Sequence, residues 1–101
     1  MVMTILEAHV QQDNWPALEE AFHQASQHKD AGLVQTFLLH SARQDDLWRI
    51  MTVWESREAL NAMRATGETP RGVQIFRSAS AEPALSIFEI AGQIPTKSNN
   101  P

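Results

Sequence analysis

The chain has 101 residues, a formal charge of −4, 43% apolar residues and no cysteine, which is the make-up of one globular domain with a single core. Lacking cysteine, it has no disulfide framework, thiolate metal site or cysteine nucleophile. Its eight basic residues are scattered and do not form the footprint of a nucleic-acid binder.

Residues 3–10 alternate as a strand does, with Leu6, Ala8 and Val10 on an apolar face and Ile5, Glu7 and His9 on a mixed one. Residues 11–14 form a turn in which Asp13 or Asn14 caps the next helix. Pro16 then sits where first-turn amides are unpaired anyway. Over residues 15–28, Trp15, Leu18, Phe22 and Ala25 recur at helical spacing and make an inward stripe. Residues 33–42 read as a second strand, followed by a polar hairpin connection at residues 43–46.

Leu47–Trp54 is the third strand, with Trp48, Ile50, Thr52 and Trp54 on one face and Leu47, Arg49, Met51 and Val53 on the other. Large groups on both faces require cover on both. With a hairpin loop of even length, Gln35, Phe37 and Leu39 share a face with Ile50, Thr52 and Trp54, and His40 shares the other with Arg49. A slip of one residue exchanges these sets. At Ser56 the period changes from two to 3.6: Ser56 is an N-cap, Glu58 suits the first-turn dipole, and Ala59, Leu60, Ala62 and Met63 form a stripe that stops before Gly67. Thr69 and Pro70 read as N-cap and first residue of a short helix over Arg71–Ser78, with Val73 and Phe76 beneath it and a strand as the weaker option. Residues 84–91 are the last strand. Residues 1–92 thus form one domain, and residues 93–101 a loose, Pro-bounded tail.

The order β-α-β-β-α-α-β predicts an α+β fold, a ferredoxin-like split βαβ sheet with helices on one face. Its right-handed crossovers are expected to make parallel neighbours. Two principal helices cannot cover both faces of four strands, so a second copy is expected on the bare face, giving a homodimeric α/β barrel. No apolar run reaches the roughly 18 residues of a membrane span. The first residues lack a basic region before an apolar run broken by Glu7 and His9, so no signal peptide is expected and the location is cytoplasmic.

No Ser-His-Asp pattern, phosphate loop or dinucleotide fingerprint is present, and the four histidines lack metal-ligand spacing. The best polar pair is His9 with Glu7, on one strand face and roughly 6–7 Å apart. A His oriented by a carboxylate can act as a general base, with a polar pair in a wet interface as the alternative. Trp48 and Trp54 can wall a pocket for a planar ligand, with Phe37 beside them, or serve as packing. Asn61 at the stripe's edge either faces solvent or donates to a ligand carbonyl, Met63 is an adaptable apolar lining of core or cavity, and Arg71 and Arg77 are either ordinary surface residues or the border of a cavity mouth.

The run from Ile50 to Leu60, in this element order, resembles the antibiotic biosynthesis monooxygenase superfamily of dimeric α/β barrels. The resemblance covers residues 3–91. It implies a small oxygenase that uses no cofactor or metal and acts on an aromatic or quinol-type substrate; for that chemistry the residues themselves offer His9 as base, Glu7 as its orienter, and Trp54 and Met63 as apolar walls. Many relatives carry a His, and the haem-degrading ones a Trp, where Met63 stands; the latter carry an Asn near the position of His9. A non-catalytic dimer that binds a small ligand or serves assembly, and an isomerase or decarboxylase on the same barrel, are the alternatives.

Overall fold

Four strands hydrogen-bond into one sheet in a computed structural model that describes residues 1–95: β1 (Val2–His9), β2 (Leu33–His40), β3 (Leu47–Trp54) and β4 (Ala84–Glu89). The spatial order is β2-β3-β1-β4, and every neighbouring pair is antiparallel. The expected parallel neighbours are therefore corrected: the strands joined by each crossover are parallel, but a third strand lies between them, as in the ferredoxin-like arrangement. Three helices, α1 (Trp15–Ala25), α2 (Arg57–Arg64) and α3 (Arg71–Ser78), complete the fold. Among the described residues, no helix is long and apolar enough to cross a membrane. The tail expected over residues 93–101 lies, from residue 96 on, outside the described residues.

Local chemistry accounts for most boundaries. A single 3-10 turn, Gln12–Asn14, leads into α1, and the Trp15 indole N–H donates to the Val10 carbonyl at 2.9 Å, tying the helix start to the end of β1. Asn14 occupies the N-cap position without a side-chain cap bond. Ser56 does cap α2, its hydroxyl accepting from the Ala59 amide at 3.0 Å. The cap of α3 is Pro70, not Thr69. Glycine brings α3 close to β1, since a Cβ on Gly72 would lie 2.5 Å from Leu6 Cδ1 and the Leu6 side chain would have to shift. Glycine is required at Gly32, whose φ of +80° and closeness to Ala59 Cβ leave no room for a side chain.

The hairpin register is the other of the two alternatives. Phe37 pairs with Met51, Thr36 with Thr52, Leu38 with Ile50 and His40 with Trp48, with an irregularity between Leu33 and Gln35 that absorbs the extra residue. Phe37 and Leu39 therefore share a face with Met51 and Arg49, not with Trp54, and His40 faces Trp48 instead of Arg49. The helix-covered face carries, strand by strand, Leu38; Trp48, Ile50 and Trp54; Val2, Leu6 and Ala8; and Ile87. The opposite face has no cover within one chain: Met3, Ile5, Met51 and Val53 are half-buried, and Phe37, Leu39 and Phe88 are exposed.

Candidate functional site: a cleft floored by threonines

The buried residues fall into two clusters. The larger gathers Leu6, Ile50 and Trp48 of the sheet, with Val10 just after β1, under Leu18 of α1 and Ile75 and Phe76 of α3. The smaller consists of Val2, Trp54 and Leu60, with Leu33, Ala59, Met63 and Ile87 packed against it, so that α2 covers it. Between them runs a row of the sheet in which Thr36, Thr52 and Thr4 are cross-strand partners, ending at Ile87 of β4. A hydroxyl that is buried without a partner costs about 1–3 kcal/mol by protein mutational measures. The helices accordingly seat on the apolar rows to either side and part over the threonines.

The result is a cleft of about 1430 Å³, larger than the roughly 300–1,000 Å³ of common small-molecule sites because one side is open. Its floor is Thr36, Thr52 and Thr4 with Trp54 and Ile50; one wall is Leu60 and Met63 of α2, the other Val73 and Ile75 of α3. The Trp54 indole N–H points along the floor and donates a long 3.4 Å hydrogen bond to Thr4 Oγ1. At the mouth, Arg71 donates through Nε and Nη2 to both carboxylate oxygens of Asp30, at 3.2 and 3.3 Å. This pair ties the start of α3 to the loop after α1. The other ionisable groups that line the cleft, among them Glu55, Glu58, Arg64 and Arg77, are exposed at its rim. The strand residues of the floor contribute none.

Of the residues singled out in the sequence, Trp54 and Met63 meet in this cleft, and Arg71 and Arg77 do line its mouth. The others stand elsewhere. His9 and Glu7 lie on the opposite, uncovered face. His9 Nδ1 shares a 3.0 Å hydrogen bond with Asp46 Oδ2, and Arg49 Nε donates to Glu7 Oε1 at 2.6 Å. The two therefore answer to different partners, and the sheet separates both from Trp54 and Met63. Phe37 is on that outer face too. Asn61 is exposed on α2 and is not among the residues that line the cleft. Trp48 is buried in the larger cluster, stacked on His40 with ring centroids 4.0 Å apart and edge-on to Trp15. No three His, Cys, Asp or Glu side chains among the described residues are grouped to hold a metal.

The threonine row was missed in the sequence. Its signal was present: each threonine interrupts an apolar strand face, Thr4 between Val2 and Leu6, and Thr52 between Ile50 and Trp54. Those interruptions became a row only once the register was known.

Comparison with known proteins agrees with this architecture. The family model for antibiotic biosynthesis monooxygenases matches residues 1–74. No curated protein sequence matches the chain. Among solved structures, SnoaB, a cofactor-independent oxygenase from Streptomyces nogalater, superposes with a TM-score of 0.69 at 16% identity, over 93% of this chain and 96% of that one. The haem-degrader MhuD from Mycobacterium tuberculosis superposes with a TM-score of 0.66 at 23% identity, over 92% and 98% of the two chains. A conserved protein of Bacteroides thetaiotaomicron gives a TM-score of 0.67 at 22% identity, over 88% and 96%. These similarities concern the fold.

Proposed function

Because the chain belongs to the antibiotic biosynthesis monooxygenase family, we propose that it is a cofactor-independent oxygenase whose substrate is a planar phenol- or quinol-type ring bound in the cleft between α2, α3 and the sheet. The observation that carries this is the cleft itself, a roomy slot with apolar walls at Leu60, Met63 and Val73 and a hydroxyl-bearing floor. Such a site holds a flat ring and still meets its oxygens. A second copy of the chain covers the outer face of Phe37, Leu39, Met51 and Phe88, making the barrel a homodimer.

The reaction is written for a substrate whose own acidity supplies the anion. In the keto form of such a phenol, a ring CH2 beside the aromatic system loses one proton toward the open mouth, and the carbanion passes one electron to O2. The radical pair then closes a C–O bond as a hydroperoxide. Loss of water breaks the O–O bond, the second C–H proton leaves, and a carbonyl results; one substrate and one O2 yield one quinone-type product and one water. The cleft contributes orientation and hydrogen bonds to the oxygen on which negative charge is shared. His9 has no role in this reading, since the sheet lies between it and the cleft.

One feature favours a second reading, that the chain binds such rings without transforming them: the floor carries no ionisable side chain. The deciding experiment is titration of tryptophan fluorescence with an anthrone and with a hydroquinone, with an oxygen electrode running. Quenching with uptake of one O2 per anthrone consumed, and no release of hydrogen peroxide, supports the oxygenase. Quenching with no uptake above the rate without protein supports the binding protein. Absence of quenching by either compound removes both readings.

A further inference from the structure

Resting on the reading of the cleft as a site for a planar ring, we propose that Thr36, Thr52 and Thr4 are a hydrogen-bonding rail that selects rings carrying oxygen substituents over unoxygenated rings of the same shape. Three observations carry it. The first is alignment: the three residues sit on adjacent strands β2, β3 and β1 in direct register. Their hydroxyls therefore repeat at the strand spacing of about 4.8 Å and span roughly 10 Å across the sheet. A flat ring laid across the strands presents oxygens on opposite ends of one ring to neighbouring threonines.

The second is packing. On either side of the row the same sheet face is filled by large buried groups, Trp54 and Val2 on one side and Ile50 and Leu6 on the other. The threonines, by contrast, are half-buried and open into the cleft. Valine has the same branched shape and an equal preference for strands. At positions 36 and 52 it would let the two hydrophobic clusters join, so the fold itself calls for a hydroxyl only at Thr4, beside the Trp54 indole. The third is polarity: Thr4 Oγ1 already accepts from the Trp54 indole N–H. A hydroxyl has one hydrogen to donate and two lone pairs, so the Thr4 proton remains available to an oxygen lying on the rail.

The test is isothermal titration calorimetry of the whole protein, under nitrogen, with 1,4-dihydroxynaphthalene, 1-naphthol and naphthalene, which carry two, one and no oxygens on one ring system. The wild-type protein is expected to bind them in that order of affinity. Thr52→Val should weaken 1,4-dihydroxynaphthalene by about threefold to tenfold, the range of one net hydrogen bond. It should leave naphthalene unchanged or tighter, and its melting temperature should be no lower than that of wild type. Thr52→Ser, which keeps the hydroxyl, should retain the preference for the diol, and Thr36→Val should repeat the Thr52→Val loss. Equal loss for diol and naphthalene, or no loss for either in both valine variants, would overturn the rail while leaving the cleft a ring site. If wild-type protein bound none of the three and consumed no oxygen, the functional reading would fall and the rail with it.

Discussion

Truncating one side chain in each hydrophobic cluster tests whether the core is divided. Leu60 is 1% exposed and seats α2 on Val2 and Trp54; Ile75 is 5% exposed and belongs to the larger cluster under α3. Leu60→Ala removes buried methyl groups and leaves a cavity, which costs about 2–5 kcal/mol in well-packed cores. Because Leu60 borders an open cleft that can partly relax or fill, about 3 kcal/mol is expected, and Ile75→Val about 1 kcal/mol. One kcal/mol moves the melting temperature of a domain of this size by about 4–8 °C, so Leu60→Ala should lower Tm by roughly 12–24 °C and Ile75→Val by roughly 4–8 °C. The threonine row lies between the two sites, so the double variant should lose about 4 kcal/mol, the sum of the single losses to within about 0.5 kcal/mol. Urea unfolding at one fixed protein concentration is the assay, since association would otherwise shift the apparent stability. A coupling of 1 kcal/mol or more would mean that the clusters are one packed body, and the account of why the helices part over the threonines would be wrong.

Ser56→Ala removes the cap bond to the Ala59 amide and should cost about 1 kcal/mol by urea unfolding; an unchanged midpoint would mean that the cap is not formed in solution. Phe88→Glu changes an outer-face residue that is 53% exposed in a single chain. It should leave each chain folded by circular dichroism and reduce the mass measured by light scattering from two chains to one. An unchanged dimer mass would place the interface elsewhere. His9→Ala should leave ring binding in the cleft within twofold, and a tenfold loss would contradict the separation of His9 from the cleft. The hydrogen bonds from Arg77, chiefly, and its positive charge hold the Glu82 carboxyl below its ordinary value of 4.5. Its contribution to stability is present above the unfolded pKa and fades as pH falls through the folded one. Glu82→Gln should therefore flatten the acid side of the stability curve slightly, both groups being exposed; an identical acid slope would show that the pair does not persist in solution.

The sequence by itself determined the elements and their type. Ser56 marks the start of α2, the alternation of Leu47–Trp54 marks β3, and the Trp15, Leu18 and Phe22 spacing marks the inner face of α1, because caps and periodicity act over a few residues. It also determined that one sheet face would want cover, since bulky apolar side chains stand on both faces of β3. Tertiary structure decided the register. A shift of one residue between β2 and β3 costs nothing locally, yet it moves Phe37 to the outer face, sets His40 against Trp48, and brings Thr36 into line with Thr52. It likewise decided the partners of Glu7 and His9: two residues apart on one strand, they were drawn to Arg49 and Asp46, which lie far away in sequence. The cleft has the same origin, because no single strand holds more than one of its threonines, and only pairing across β2, β3 and β1 turns three isolated hydroxyls into a floor that the helices cannot close over.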